Sequence, residues 1–253
     1  MISINDLKYY SSLLIKKDRV EEKKFIVEGI KTVEEGLRNN LTCEVIFITA
    51  TFSESNPDKI KLLRKSGTKM LQLKSSEFAR ISDTKSPQGI AAVFIKSNTS
   101  KKLSEVDTKK LIFIDNISDP GNLGTILRTC DWFGFEIVLL GKECVEFLNP
   151  KVVRASMGSI FHINIYESIL EKDLVDLKRK GYQILCSDIQ GKDLFTFRFE
   201  KKSVIVFSNE SFGPSQEIKN LTDDFITIPS KGKAESLNVA AAAAIILARF
   251  ANE

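Results

Sequence analysis

Histidine and tryptophan each occur once in this chain, at His162 and Trp132, and cysteine only four times, at positions 43, 130, 144 and 186. A histidine-dependent catalytic triad therefore has one candidate base. The cysteines form no CxxC pair and, beside a single histidine, offer no zinc-ligand spacing, so no metal site is expected. Cys130 and Cys186 fall inside apolar patterns and read as reduced core thiols. His162 lies in FHINIY, an alternating, strand-like segment where a lone histidine is more often structural than catalytic. No apolar run reaches the roughly 20 residues a membrane helix needs, AAAAAIILA being far too short. Asp6, Asp18, Glu21 and Glu22 near the start replace the basic pattern of a leader. The cytoplasm is the expected compartment, with no membrane partner.

What is present is an ordinary globular composition, 43% hydrophobic and 28% charged. Charge is unevenly spread: 20 lysines and arginines stand against 14 aspartates and glutamates up to Lys109, and 17 against 19 beyond it. A basic front and an acidic back point to a polyanionic partner for the first part, although solvated lysines would give the same count. The apolar positions Ile4, Leu7, Leu14 and Ile15 predict a short helix, followed by the charged stretch KKDRVEEKK. Then come strand FIVEG, a helix over 31–38, strand CEVIFIT, a helix over 57–65, strand KMLQLK, a short helix near Ser76 and strand GIAAVFI. This reads as a small α/β domain over 1–96. The polar segment KSNTSKKLSEVDTKK has no apolar periodicity and reads as a linker over 97–109.

Residues 110–253 form the second expected domain. LIFIDNI is a near-continuous apolar run, suited to a strand covered on both faces. After it the spacing predicts a helix from about Leu123, strand FEIVLLG, a short helix near Val152, strand HINIY, a helix over 170–180, strands YQILCSD, SVIVFSNE and FITIP, and a last helix from Leu237. Strands alternating with helices predict a mainly parallel sheet between helices, with ligands at the strands' carboxyl ends.

Three segments at those ends carry unusual polar residues. In DNISDPGNLGTILRTCDWFGF from Asp115, Asp119-Pro120-Gly121-Asn122 is turn chemistry, and Asn122 is placed to cap the helix. On that helix Leu123, Ile126, Leu127, Cys130 and Phe133 share an apolar face, while Thr125, Arg128 and Trp132 project from the other. An arginine and a tryptophan there suit a phosphate and a base, or a subunit partner; a plain surface pair is the alternative. GNLG lacks the third glycine of a dinucleotide-binding loop, so an unrelated nucleotide-binding α/β enzyme, with Glu143 as its ribose acid, is a poor fit. In IVFSNESFGPS from Ile205, Ser208, Asn209, Glu210 and Ser211 follow an apolar strand. In ITIPSKGKAESLNVAAAAAIILA from Ile226, Ser236 stands where an N-cap belongs, and Asn238 is a polar amide opening an alanine-rich helix.

Together the three segments resemble the signature motifs of the SpoU/TrmH family of RNA ribose 2′-O-methyltransferases, over roughly the C-terminal 145 residues. The resemblance implies a trefoil-knotted SPOUT domain binding S-adenosyl-L-methionine, a homodimer with sites near its interface, and RNA as substrate, with ribosomal RNA favoured over transfer RNA. The front domain, with FIVEGIKTVEEGL, looks like the family's substrate-binding domain. The family's cofactor positions fall on Ser208, Ile228 and Leu237, and its catalytic or substrate positions on Asn122, Arg128, Glu210, Ser236 and Asn238. Lys16, Lys17, Lys23 and Lys24 are expected to supply salt-dependent affinity for RNA alongside Arg128. Where the family has glycine this chain has Ser208 and Ser211, which keeps a catalytically silent RNA-binding relative as the alternative. A guanidinium has a pKa above ~12 and accepts a proton poorly, so Arg128 reads as a phosphate clamp, and Glu210 either takes the proton or holds the polar network around the methyl donor.

Overall fold

The computed structural model describes residues 2–96, 103–209 and 213–253. The chain divides into two compact units, Met1–Thr99 with Glu146–Phe161, and Ser100–Val145 with His162–Glu253.

The first unit begins with α1 (Ile4–Ser12), capped by the Ser3 hydroxyl, and α2 (Lys16–Glu22). There follow β1 (Lys24–Glu28), α3 (Ile30–Arg38), β2 (Cys43–Thr49), α4 (Ala50–Ser55), α5 (Pro57–Arg64), β3 (Lys69–Leu73), α6 (Ser75–Ile81) and β4 (Ile90–Ile95). The sheet order is β1-β4-β2-β3, with β4 antiparallel to both neighbours and β2 parallel to β3. Val45, Phe47, Ala91 and Val93 bury one face of it against Leu7, Leu13, Phe78 and Ile81. The charged stretch after Ile15 proves to be a helix, because Arg19 turns inward rather than facing water. Its guanidinium is 2% exposed, pairs with Glu146 at 2.6 Å and donates to the Leu13 carbonyl at 2.9 Å.

The second unit opens with β5 (Lys110–Asp115), α7 (Pro120–Trp132) and β6 (Ile137–Gly141). The chain then contributes Glu146–Phe161, including α8 (Pro150–Ala155), to the first unit. Arg19 holds Glu146, the Phe161 ring lies 6.4 Å from Phe25 and 6.1 Å from Phe94, and Arg154 pairs with Asp83 at 2.8 Å. Back in the second unit come β7 (Asn164–Ile169), α9 (Glu171–Arg179), β8 (Gln183–Asp193), β9 (Ser203–Ser208), α10 (Gln216–Leu221), β10 (Asp224–Thr227) and α11 (Val239–Ala251). The six strands run in the order β10-β8-β9-β5-β6-β7, and every pairing is parallel. Leu111 to Ile114 on β5 and Ser203 to Ser208 on β9 are buried throughout, as expected of central strands with both faces covered.

Two local features shape what lies at the strand ends. Strand order reverses between β5 and β9, which run side by side with Asp115 opposite Ser208, so the first two polar segments emerge next to each other. On the far side of β9, β8 pairs with β10 through Cys186–Phe225 and resumes only at Lys192–Ile226, so residues 187–191 arch away from the sheet. Gly191 permits this arch: a Cβ there would lie 2.6 Å from the Phe225 carbonyl carbon and oxygen.

Candidate active site

The sequence expectation that Asn122 caps α7 is corrected by one turn. The helix starts at Pro120, whose missing N–H and fixed φ suit the first position, and Asp119 is the cap, accepting from Asn122 N at 2.8 Å. This frees the Asn122 side chain. At the other motif Ser236 is likewise not the cap of α11: Asn238 is, accepting from Ala240 N at 3.1 Å. Because the cap bond uses the Asn238 oxygen, its amide nitrogen points outward and donates to Asn122 Oδ1 at 3.1 Å. The two helix starts, 116 residues apart in sequence, are thus joined by one side-chain bond, which answers why a polar amide opens an otherwise apolar helix.

Beside this junction the carboxyl ends of β8, β9 and β10 enclose a cleft of about 740 Å³. Ser208, Ile228, Ser236 and Leu237 all line it, together with the 187–189 arch, Val239 and Ala242. Its walls combine apolar side chains with strand-end and loop backbone, the pattern of a small-molecule site, and the volume lies within the usual range of about 300–1,000 Å³. Ser208 is 8% exposed, so its side chain takes up room that a glycine would leave open. Next to it the Asp115 carboxylate accepts from Ser215 N at 3.1 Å and fastens the chain re-entering after the second motif. Burial pushes the Asp115 carboxyl above its ordinary value, with the Ser215 bond opposing and nearby Glu217 adding to the rise. Glu210 and Ser211 lie outside the described residues.

The remaining candidates sit elsewhere. Arg128 is exposed on α7, with Thr125 and Trp132, on the face opposite buried Leu123, Ile126, Leu127 and Cys130; Trp132 is 83% exposed. In the first unit Lys16, Lys17 and Lys23 are exposed on or beside α2. Lys24 is committed: it pairs with Glu44 at 2.5 Å and donates to the Tyr9 hydroxyl at 2.9 Å. His162 Nδ1 lies 2.9 Å from Asp131 Oδ2. Burial pushes the Cys144 thiol up to about 11 and the Cys186 thiol to about 12, and the Cys130 thiol higher still. No cluster of three or more metal-ligating side chains occurs among the described residues, and no described helix is long and apolar enough to cross a membrane. Arg19, Glu146 and Asp115 escaped the sequence reading; inside the charged stretch KKDRVEEKK nothing marks Arg19 as the one charge that turns inward.

Comparison with known proteins gives these coordinates a context. The SpoU rRNA Methylase family matches residues 109–248, and the MRM3-like substrate binding domain matches residues 5–92. The chain is 31% identical over 242 residues, 95% of its length and 94% of the relative's, to the 23S rRNA (guanosine(2553)-2′-O)-methyltransferase RlmP of Bacillus subtilis. It is 32% identical over 158 residues, 60% of its length and 36% of the relative's, to the human mitochondrial rRNA methyltransferase 3. Among solved structures, the AdoMet-bound rRNA methyltransferase of Sinorhizobium meliloti aligns with a TM-score of 0.83 at 26% identity, covering 98% of this chain and 95% of that one. The SpoU methyltransferase AviRb of Streptomyces viridochromogenes, in complex with AdoMet, aligns with a TM-score of 0.88 over 99% of this chain and 98% of that one; at 22% identity the likeness is one of fold.

Proposed function

Because the chain belongs to the SpoU rRNA methylase family, we propose that it methylates a ribose 2′-hydroxyl of ribosomal RNA with S-adenosyl-L-methionine as donor. The observation that carries this reading is the convergence of the three motifs: Asn238 bonds Asn122, and the cleft beside them is lined by Ser208, Ile228, Ser236 and Leu237. The cleft fits the donor in kind, with apolar walls for an adenine and backbone polar groups at strand ends for its edge. Ser208, Ile228 and Leu237 would hold it there.

When bound, the donor supplies a sulfonium-activated methyl group, so the chain's own task is to present the ribose in line and manage its proton. Asn122 and Asn238 hold the two helix starts in fixed relation. Arg128, a permanent fork of donors, clamps the phosphate next to the target ribose, and Glu210 accepts the hydroxyl proton. Exposed Lys16, Lys17 and Lys23 add non-specific attraction to the RNA backbone. The family also implies that the C-terminal domain is a trefoil knot and that two copies pair. A cytoplasmic location fits RNA as the substrate. The resemblance to rRNA methyltransferases over nearly the whole chain favours ribosomal over transfer RNA.

The test is transfer of a labelled methyl group from S-adenosylmethionine to total RNA from a strain lacking the protein, followed by size fractionation. Label in the large ribosomal species is expected. Label confined to transfer RNA would overturn the substrate assignment, and a protein that binds RNA but neither the donor nor its product would be the silent relative that Ser208 keeps in view.

A further inference from the structure

An adenine and its ribose account for only part of the proposed donor; the rest is an amino acid, with a carboxylate and an ammonium that lose water on binding. Moving such charges into a cleft is costly unless opposite charges meet them. Most of this cleft cannot do that, since Ile228, Leu237, Val239 and Ala242 are apolar. Two charged side chains of opposite sign line it away from the exposed 228–238 loop: Asp188 on the β8 arch and Lys219 on α10.

We propose that Lys219 and Asp188 form the subsite for the amino-acid end of the methyl donor, Lys219 meeting its carboxylate and Asp188 its ammonium. Resting on the donor assignment above, this adds a specificity for the charged tail. Both charges flank the end of β8. Each is felt by the Cys186 thiol beneath the arch, whose rise is caused chiefly by burial, with Asp188 adding to it and Lys219 opposing it. Asp188 is held in place by Gln190 N, which donates to Oδ1 at 3.0 Å and leaves the second oxygen for a ligand. Lys219 is exposed on α10 and, like Lys231 on the cleft-lining loop, uncommitted among the described residues. Lys178 pairs with Asp223 and Lys192 with Asp224, at 2.7 and 2.5 Å, whereas among the described residues Lys219 has no ion-pair partner. An uncommitted ammonium and a half-committed carboxylate on one side of an apolar cleft complement a zwitterion.

Isothermal titration of the full chain with S-adenosylhomocysteine and with 5′-methylthioadenosine tests this, because the second ligand keeps the nucleoside and sulfur but lacks the amino-acid end. Lys219→Met should weaken S-adenosylhomocysteine about five- to tenfold, the scale of one charge-assisted contact at a partly open site. The affinity for 5′-methylthioadenosine should not change. Lys219→Arg should restore most of the loss, and Asp188→Asn, which keeps the Gln190 bond, should also weaken only the first ligand. Equal loss for both ligands, or no loss for either, overturns the subsite. A Lys219→Met protein altered only in RNA affinity would overturn it too, by giving the lysine to the RNA. A wild-type chain that binds neither ligand would instead overturn the donor assignment beneath it.

Discussion

Arg128 and Asn238 separate the proposed chemistry from the scaffold. Arg128 is exposed, opposite the buried face of α7, and makes no contribution to the core, so its loss should leave folding and donor binding intact. Arg128→Ala is expected to lower kcat/KM for methyl transfer at least about 100-fold, because a group that orients charge at the reacting centre acts mainly in the transition state. S-adenosylhomocysteine affinity should stay within about twofold; a parallel loss of affinity and turnover would place Arg128 in the donor site instead. Asn238 does two jobs, capping α11 and bonding Asn122. Asn238→Ala should cost about 1–2 kcal/mol of stability in urea unfolding, the ordinary scale of a lost cap, and should also reduce turnover. Asn238→Ser, which restores a cap oxygen but does not reproduce the amide bridge, should recover stability and leave turnover low. Recovery of both would reduce Asn238 to a cap.

Elements show where local sequence is informative and where it is not. The strands LIFIDNI, SVIVFSNE and CEVIFIT are legible because burial on both faces, or on one, writes itself into consecutive or alternating apolar residues. The polar segments are legible as candidate sites because three of them recur together in the pattern of one family, whereas exposed Arg128 and Trp132 alone would read as a surface pair. Helix starts are not, since Asp119 and Asn122, or Ser236 and Asn238, are equally good caps on paper, and the choice depends on where the backbone turns helical. Nor can spacing show that Glu146–Phe161 packs with the first unit, because its docking depends on Arg19 and on the Phe25 and Phe94 rings, distant in sequence. The buried Arg19–Glu146 pair turns that packing into a measurement. Arg19→Ala leaves Glu146 charged and unpartnered, so it should destabilise the protein by about 3–5 kcal/mol. The double change Arg19→Met with Glu146→Leu should cost much less. An additive double mutant would mean that the two side chains do not depend on each other.

At the scale of the whole chain, charge and chemistry are separated by sequence. The basic front carries exposed Lys16, Lys17 and Lys23, whereas Lys24, the fourth lysine of the same stretch, is held by Glu44 and Tyr9. Replacing Lys16, Lys17 and Lys23 by Glu should weaken RNA binding and flatten its dependence on salt, by up to about 0.7–0.9 in log–log slope for each phosphate no longer neutralised. Adding Lys24→Glu should instead lower thermal stability, by breaking its ion pair. An unchanged salt slope in the triple variant would leave those lysines merely solvated. Domain order, the parallel sheet and the three converging motifs all agree with one account, in which the front unit holds RNA and the back unit methylates it. The most direct test is the chemical position of the methyl group: RNA labelled by the protein with S-adenosylmethionine, then hydrolysed in alkali. The account predicts label in an alkali-resistant dinucleotide, since a methylated 2′-oxygen cannot attack the neighbouring phosphate. Label recovered wholly in mononucleotides would place the methyl group on a base and contradict it.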